Sequence, residues 1–200
     1  MASRTDIINR AMVKLGAPTI ADPNEDSEQA LKAGLVFDTL LRTELRMHPW
    51  SFAISRTQMA ALSTAPAYEW TYQYQLPADF IRIVMVNDYW AFAGVREASD
   101  MPTVPYVIEG QHLLTNFAAP LKLRYIKDVS EDPSEWDACF VEVFSCRLAE
   151  ELCETLTKSA AKKSTLEQDY RQALREARRV NAIELPPQTL PDNSWVTGRY

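Results

Sequence analysis

The sequence predicts an α+β domain: a helical bundle of two N-terminal and two C-terminal helices, a small, mainly antiparallel β-sheet between them, and an extended C-terminal arm. Three observations predict it. Apolar residues recur at helical spacing before residue 49 and again after residue 133. The stretch between them alternates with a period of two. Residues 181–200 carry Pro186, Pro187 and Pro191 and no helical period. The expected organisation is a single domain over 1–182, helical over 1–49 and 133–182 and β over 50–130, with 183–200 as a docking arm. A chain of 200 residues, 46% hydrophobic and 24% charged, can bury one such core without staples.

Each element has a local reason. A first helix fits 4–15, with Ser3 and Asp6 as a capping box, Ile8, Met12 and Leu15 on one face, and Gly16 to end it. Residues 17–26 form a proline-punctuated loop. A longer helix is expected from Ser27 to Met47, capped by Asp26 and Gln29, with Ala30, Ala33, Phe37, Leu41 and Leu45 in its stripe. Pro49 stops it. Trp70, Tyr72, Tyr74 and Leu76 alternate with polar residues, and Phe80–Val86 is rich in branched side chains, so both read as strands. Residues 87–105 read as a long connection. Tyr106–Thr115 reads as a hairpin turning at 109–111, and Leu121–Ile126 as a further strand. After Asp132-Pro133, Ser134 with Asp137 is expected to cap a helix to about Leu156. Ser164 with Glu167 is expected to open the last helix, ending near Val180.

Composition excludes several functions. A net charge of −6 argues against a protein whose main task is gripping nucleic acid. No apolar run approaches the length of a membrane span, and the N-terminus lacks a signal-like apolar stretch, so a product made in the cytoplasm and without membrane partners is expected. Five glycines leave little room for a phosphate-binding loop, and two histidines exclude a three-histidine metal site. No catalytic residue, metal site or cofactor is expected. His48 sits at a helix end, where interaction with the last carbonyls explains it, and His112 lies in a turn. Cys139, Cys146 and Cys153 fall seven apart on one helix, about 10.5 Å between neighbours, too far for a disulfide or a shared metal. They read as packing residues.

What is present points to assembly. Residues 128–154 hold nine acids and one base, and 158–180 hold seven bases and three acids. The two segments either pair within a helical hairpin or face each other across a subunit boundary. Arg175, Arg178 and Arg179 suit a helix C-terminus. Tyr89, Trp90 and Phe92 sit in the irregular stretch, where aromatic residues serve either as interface anchors or as core. In the arm, Leu185, Pro186, Pro187, Leu190, Pro191, Trp195, Val196 and Tyr200 form an apolar, proline-stiffened segment unable to build a core of its own. It suits docking on a partner, or wrapping back on its own domain.

The ordered set of motifs resembles a known family. These are Ile8-Asn-Arg-Ala-Met-Val-Lys-Leu-Gly16, Trp50-Ser-Phe52, Tyr74-Gln-Leu-Pro-Ala-Asp-Phe80, Ile108-Glu-Gly-Gln111, Leu123-Arg-Tyr-Ile126 and the acidic helix from Trp136 through Leu152. Together they resemble the tail tubular protein A family of short-tailed bacteriophages, the head-to-tail adaptor, over roughly residues 5–200. His48-Pro49 departs from the pattern, where a glycine is expected before the tryptophan. The resemblance implies a virion protein at the head–tail junction, with itself as partner in a ring, dodecameric in the family. It also implies contacts with the portal protein above and with a tail nozzle (tail tubular protein B-like) below. DNA would pass through on ejection without sequence-specific binding. The helices would build the wall, the β region would meet the nozzle or neighbouring copies, and the arm would reach the portal. No catalytic residue carries over.

Two other classes compete. One is a small carboxylate-based glycan hydrolase of a virion tail, for which Asp79 and Asp88 near strand ends are the candidates. The other is a soluble binding or regulatory protein that uses its arm as the ligand segment.

Overall fold

The computed structural model of the chain describes residues 2–87, 89–90 and 106–184. It is α+β, with the helices segregated from two small antiparallel sheets. The helices are α1 (Arg4–Leu15), α2 (Glu28–Met47), α3 (Ala138–Thr157) and α4 (Ala160–Glu184). The strands are β1 (Ile54–Met59), β2 (Tyr72–Gln75), β3 (Phe80–Val86), β4 (Tyr89–Trp90), β5 (Tyr106–Glu109), β6 (His112–Thr115) and β7 (Leu121–Lys127).

Local chemistry sets most boundaries. Ser3 and Asp6 make the reciprocal capping box of α1, and Gly16 closes it at φ 65°, a left-handed position that glycine adopts without strain. Asn9 then ties the following loop down, accepting from Ile20 N at 2.8 Å and donating to Ile20 O at 2.9 Å. Three caps differ from the sequence expectation. Ser27, not Asp26 with Gln29, caps α2 by accepting from Ala30 N at 3.2 Å, because Ser27 is the residue with extended backbone. Asp137, not Ser134, caps α3, since Trp136 is extended and separates a short 3-10 turn (Pro133–Glu135) from the helix. Trp136 is thereby buried, donating its indole N–H to Val129 O at 2.9 Å. Finally, α4 begins at Ala160 rather than at Ser164. Lys158 ends α3 at φ 52°, and the helix restarts at once through Ala160-Ala161-Lys162-Lys163, all good helix formers.

The helix α3 is the centre of the bundle and packs against α1, α2 and α4. Its stripe of Phe140, Phe144, Leu148 and Leu152 meets Phe37, Leu41 and Trp50, and the cluster reaches Ile81, Val84 and Ile126 at the root of the sheet region. A second core, with Tyr74, Leu113, Ile83, Leu121, Leu123 and Tyr125, lies between the two sheets.

The sheets run β1-β7-β3-β4 and β2-β6-β5. The single sheet expected from the sequence is therefore two, face to face. The strand missing from that expectation is β1, whose interior Ser-Arg-Thr-Gln offers no apolar alternation. It forms because it pairs residue for residue with β7, from Ile54 opposite Ile126 to Met59 opposite Leu121. The stretch after β3 also starts as a strand: Tyr89 pairs with Val86 and Trp90 with Met85.

Candidate functional site

The last described turn of α4, just ahead of the segment expected as an arm, is a built site. Asn181 on α4 is 6% exposed, and its amide spans the turn after α2. Its Oδ1 accepts from Ser51 N at 2.8 Å, and its Nδ2 donates to Pro49 O at 3.1 Å. The same Nδ2 lies 3.1 Å from His48 Nε2, and Ser51 Oγ donates to Glu184 Oε2 at 2.8 Å. A proline-broken helix end leaves backbone groups without helical partners, and here one buried amide satisfies two of them. Sequence patterns held no sign of this role for Asn181, because its partners come from a segment far away in the chain.

His48 does not serve the helix carbonyls as expected. The Asn181 amide donates to Nε2, which makes that nitrogen an acceptor and puts the ring proton on Nδ1. The ring packs against Trp50 at 4.7 Å. Burial, then the cations Arg178 and Arg82, push its pKa down from 6.5 to about 4. The unfolded chain therefore takes up a proton between those values while the fold does not. Stability should fall as pH drops from 6.5 toward 4, by roughly 2 kcal/mol for this half-buried ring. Denaturant midpoints across this range for the wild-type chain and for His48→Gln test it, and equal slopes would refute it.

Behind this site lies a buried ionic network. Glu44 on α2 is 2% exposed and accepts from Tyr170 Oη at 2.9 and 3.1 Å. Arg147 Nε stands 3.6 Å from the same carboxylate, and its other nitrogens reach Glu150 at 2.8 Å and Glu151 at 3.5 Å. Burial raises the Glu44 pKa, opposed by the Tyr170 hydroxyl and Arg147. Burial and the Glu44 charge push Tyr170 up, so it stays a donor. Three helices are thus pinned together at one carboxylate.

The acidic and basic segments do not mainly neutralise each other. Among the described residues one ion pair joins α3 to α4, Lys163 with Glu154 at 2.9 Å. The other acids turn elsewhere: Glu142 to Lys14 and Arg10 of α1, Asp128 to Arg42 of α2, and Glu135 to Lys127 of β7. The acids are largely spent in binding the bundle together. Arg175, Arg178 and Arg179 remain on the exposed side of α4.

Among the described residues, three surface grooves stand out. One of about 670 Å³ lies between α1 and the start of α3, lined by Val13, Val141 and Trp136 among others. One of about 220 Å³ lies under the 66–70 strap, lined by Tyr68, Glu69, Trp70, Glu109 and His112. The third, about 440 Å³, lies on the four-stranded sheet and is lined by Arg56, Lys122 and Arg124. The first and third depend on pairings that no local pattern announces.

Asp79 accepts from Tyr125 Oη at 3.0 Å and lies outside the lining of all three grooves, so it is not paired with a second carboxylate in any of them. Asp88 lies outside the described residues, as do Phe92 and the arm residues Leu185, Pro186, Pro187, Leu190, Pro191, Trp195, Val196 and Tyr200. Tyr89 and Trp90 are described only as backbone of β4. The cysteines are free thiols, with Cys146 and Cys153 buried in the bundle. Burial raises the pKa of Cys146. Among the described residues no group of three or more His, Cys, Asp or Glu is placed to hold a metal, and no helix is long and apolar enough to cross a membrane. No protein-family model and no curated protein matches the chain.

Proposed function

We propose that the chain is the subunit of a virion head-to-tail adaptor ring, the role that its resemblance to the tail tubular protein A family implies. The observation that carries this reading is the root of the arm. Asn181 and Glu184 hold the last turn of α4 against the end of α2, so the apolar segment 185–200 starts from a fixed point. A tether with a fixed origin loses less entropy when it docks on a neighbour than one leaving a frayed end. In this reading the helices form the ring wall, the sheets meet the nozzle or neighbouring copies, and the arm grips the portal. DNA passes through on ejection. The role is structural, and its place is the head–tail junction of the particle.

Electron microscopy of the purified protein, alone and mixed with its portal, tests the reading. Rings stacked coaxially on the portal are expected, and persistent monomers beside a competent portal would refute it. Deleting residues 185–200 should leave the circular-dichroism spectrum and melting transition intact while reducing portal attachment at least tenfold, about 1.4 kcal/mol or more. Loss of folded structure would show instead that the arm belongs to the core.

A further inference from the structure

The outer face of the three-stranded sheet carries a pocket that folding does not use. Val107, Leu114 and Gln73 lie side by side across β5, β6 and β2, and Glu109, His112 and Gln75 form the next row on the same face. Tyr74 and Leu113, on the opposite face, belong to the second core. The strap 66–70 stands against the outer face, where Leu114 is 6% exposed. The space between strap and sheet, about 220 Å³, is lined by Tyr68, Glu69, Trp70, Gln73, Glu109 and His112 among others. That is the size of one side chain, below the roughly 300 Å³ at which small-molecule pockets begin.

The chemistry of this pocket is unspent. Among the described residues no hydrogen bond, ion pair or ring contact engages the side chains of Tyr68, Glu69, Trp70, Glu109 or His112. Trp50 and Trp136, by contrast, are buried with their indole N–H groups donated to carbonyls. Neither Tyr68 nor Trp70 belongs to either core, and Tyr68 is 77% exposed. Two carboxylates and no Lys or Arg are among the described lining residues. Rings and free carboxylates in one small space favour a cation, and a guanidinium can stack on the rings while it pairs with the acids.

The matching cations stand on α4. Arg175 and Arg179, one turn apart, are exposed, and among the described residues neither has a carboxylate partner. Arg171, one turn earlier, is paired with Glu167. Val180 and Ile183 are exposed next to this row, as Val107 is next to the pocket, so the two surfaces match in apolar area as well as in charge.

We propose that the strap pocket takes an arginine of α4 from a second copy of this chain, an inference that rests on the adaptor reading above. An arginine seated among tryptophan, tyrosine and carboxylates has the composition of an interface hot spot. Pocket and row are different patches of the subunit, so the contact is head to tail, the kind that generates a ring when its rotation closes.

Sedimentation velocity of the full-length protein, alone and with its portal, tests the contact through a charge swap. Glu69→Lys/Glu109→Lys and Arg175→Glu/Arg179→Glu should each weaken association between copies by about tenfold or more, since each sets like charges against one another. Mixed in equal amounts, the two variants should associate as the wild type does, because in an alternating arrangement every pocket faces an opposite charge. Misfolded variants would not rescue each other in this way. Association unaffected by either variant, or lost in both and not recovered when the folded variants are mixed, would overturn the proposal. So would a tryptophan-fluorescence titration in which N-acetylglucosamine saturates the pocket and acetyl-arginine amide does not, which would make it a sugar subsite. Rings on the portal indifferent to both variants would remove this contact and leave the adaptor standing. Swap-sensitive association by a protein that ignores its portal would do the reverse.

Discussion

Phe140→Ala should cost about 4 kcal/mol of folding stability. The ring is fully buried and is the hub of the bundle's aromatic cluster. Its centroid lies 4.9 Å from those of Trp50 and Phe52, 5.4 Å from Trp136 and 6.2 Å from Phe144. Truncation loses the transfer energy of the ring and leaves a cavity walled by other large rings, which cannot turn inward without leaving their own rotamers. Urea unfolding followed by tryptophan fluorescence reads the effect, since Trp50 and Trp136 both line the void. A loss below about 1 kcal/mol would show that the cluster collapses around the gap and that the bundle is held elsewhere.

Arg147→Met should cost about 3 kcal/mol at neutral pH, because the buried Glu44 carboxylate would lose its nearest cation and keep only the Tyr170 hydroxyl and the more distant charge of Arg178. The sign of the pH dependence follows from the direction of the Glu44 shift. Its folded pKa is raised above the unfolded value by burial. The desolvation penalty therefore applies above the folded pKa and fades as pH falls through it, where the carboxyl takes up a proton. The deficit of Arg147→Met should be largest at neutral pH and shrink in mild acid. Removing both charges in Glu44→Gln/Arg147→Met should recover much of it, since the pair is replaced rather than broken. Denaturant midpoints for the set at both pH values give the coupling. A double variant no better than Arg147→Met would show that the arginine acts through Glu150 and Glu151 instead.

These effects differ in how visible they were in the chain. The flanks of the aromatic hub were legible as apolar stripes, with Phe37 and Leu41 on one helix and Phe144 and Leu148 on another at 3.6-residue spacing, but Phe140 at its centre was not singled out by them. The Glu44 network was not legible. A glutamate in an amphipathic helix reads as solvent-facing until α3 and α4 are packed on it, and neither Arg147 nor Tyr170 is near it in the chain. The same holds for the candidate contact surfaces. Glu69 and Glu109 look like unrelated polar residues until the 66–70 strap stands against β5 and β6. Asn181 reads as the first residue past a helix ending near Val180, until α4 runs on to Glu184 and the Pro49 turn is brought against it.

What the sequence determined by itself is therefore the local part. It settled the α+β class, the four helices, the capping box at Ser3, the stop at Gly16, the hairpin about Gly110, and the span of β3. Each depends on residues within a few positions of one another, and a periodicity or a cap is a short-range energy that the chain carries wherever it folds. Tertiary structure decided what depends on distant partners: the polar strand β1, the split into two facing sheets, the buried carboxylate, the neutral histidine and the pocket under the strap. Those features are stabilised or charged by groups brought together only when the core closes, and desolvation and cross-strand pairing have no magnitude until that has happened.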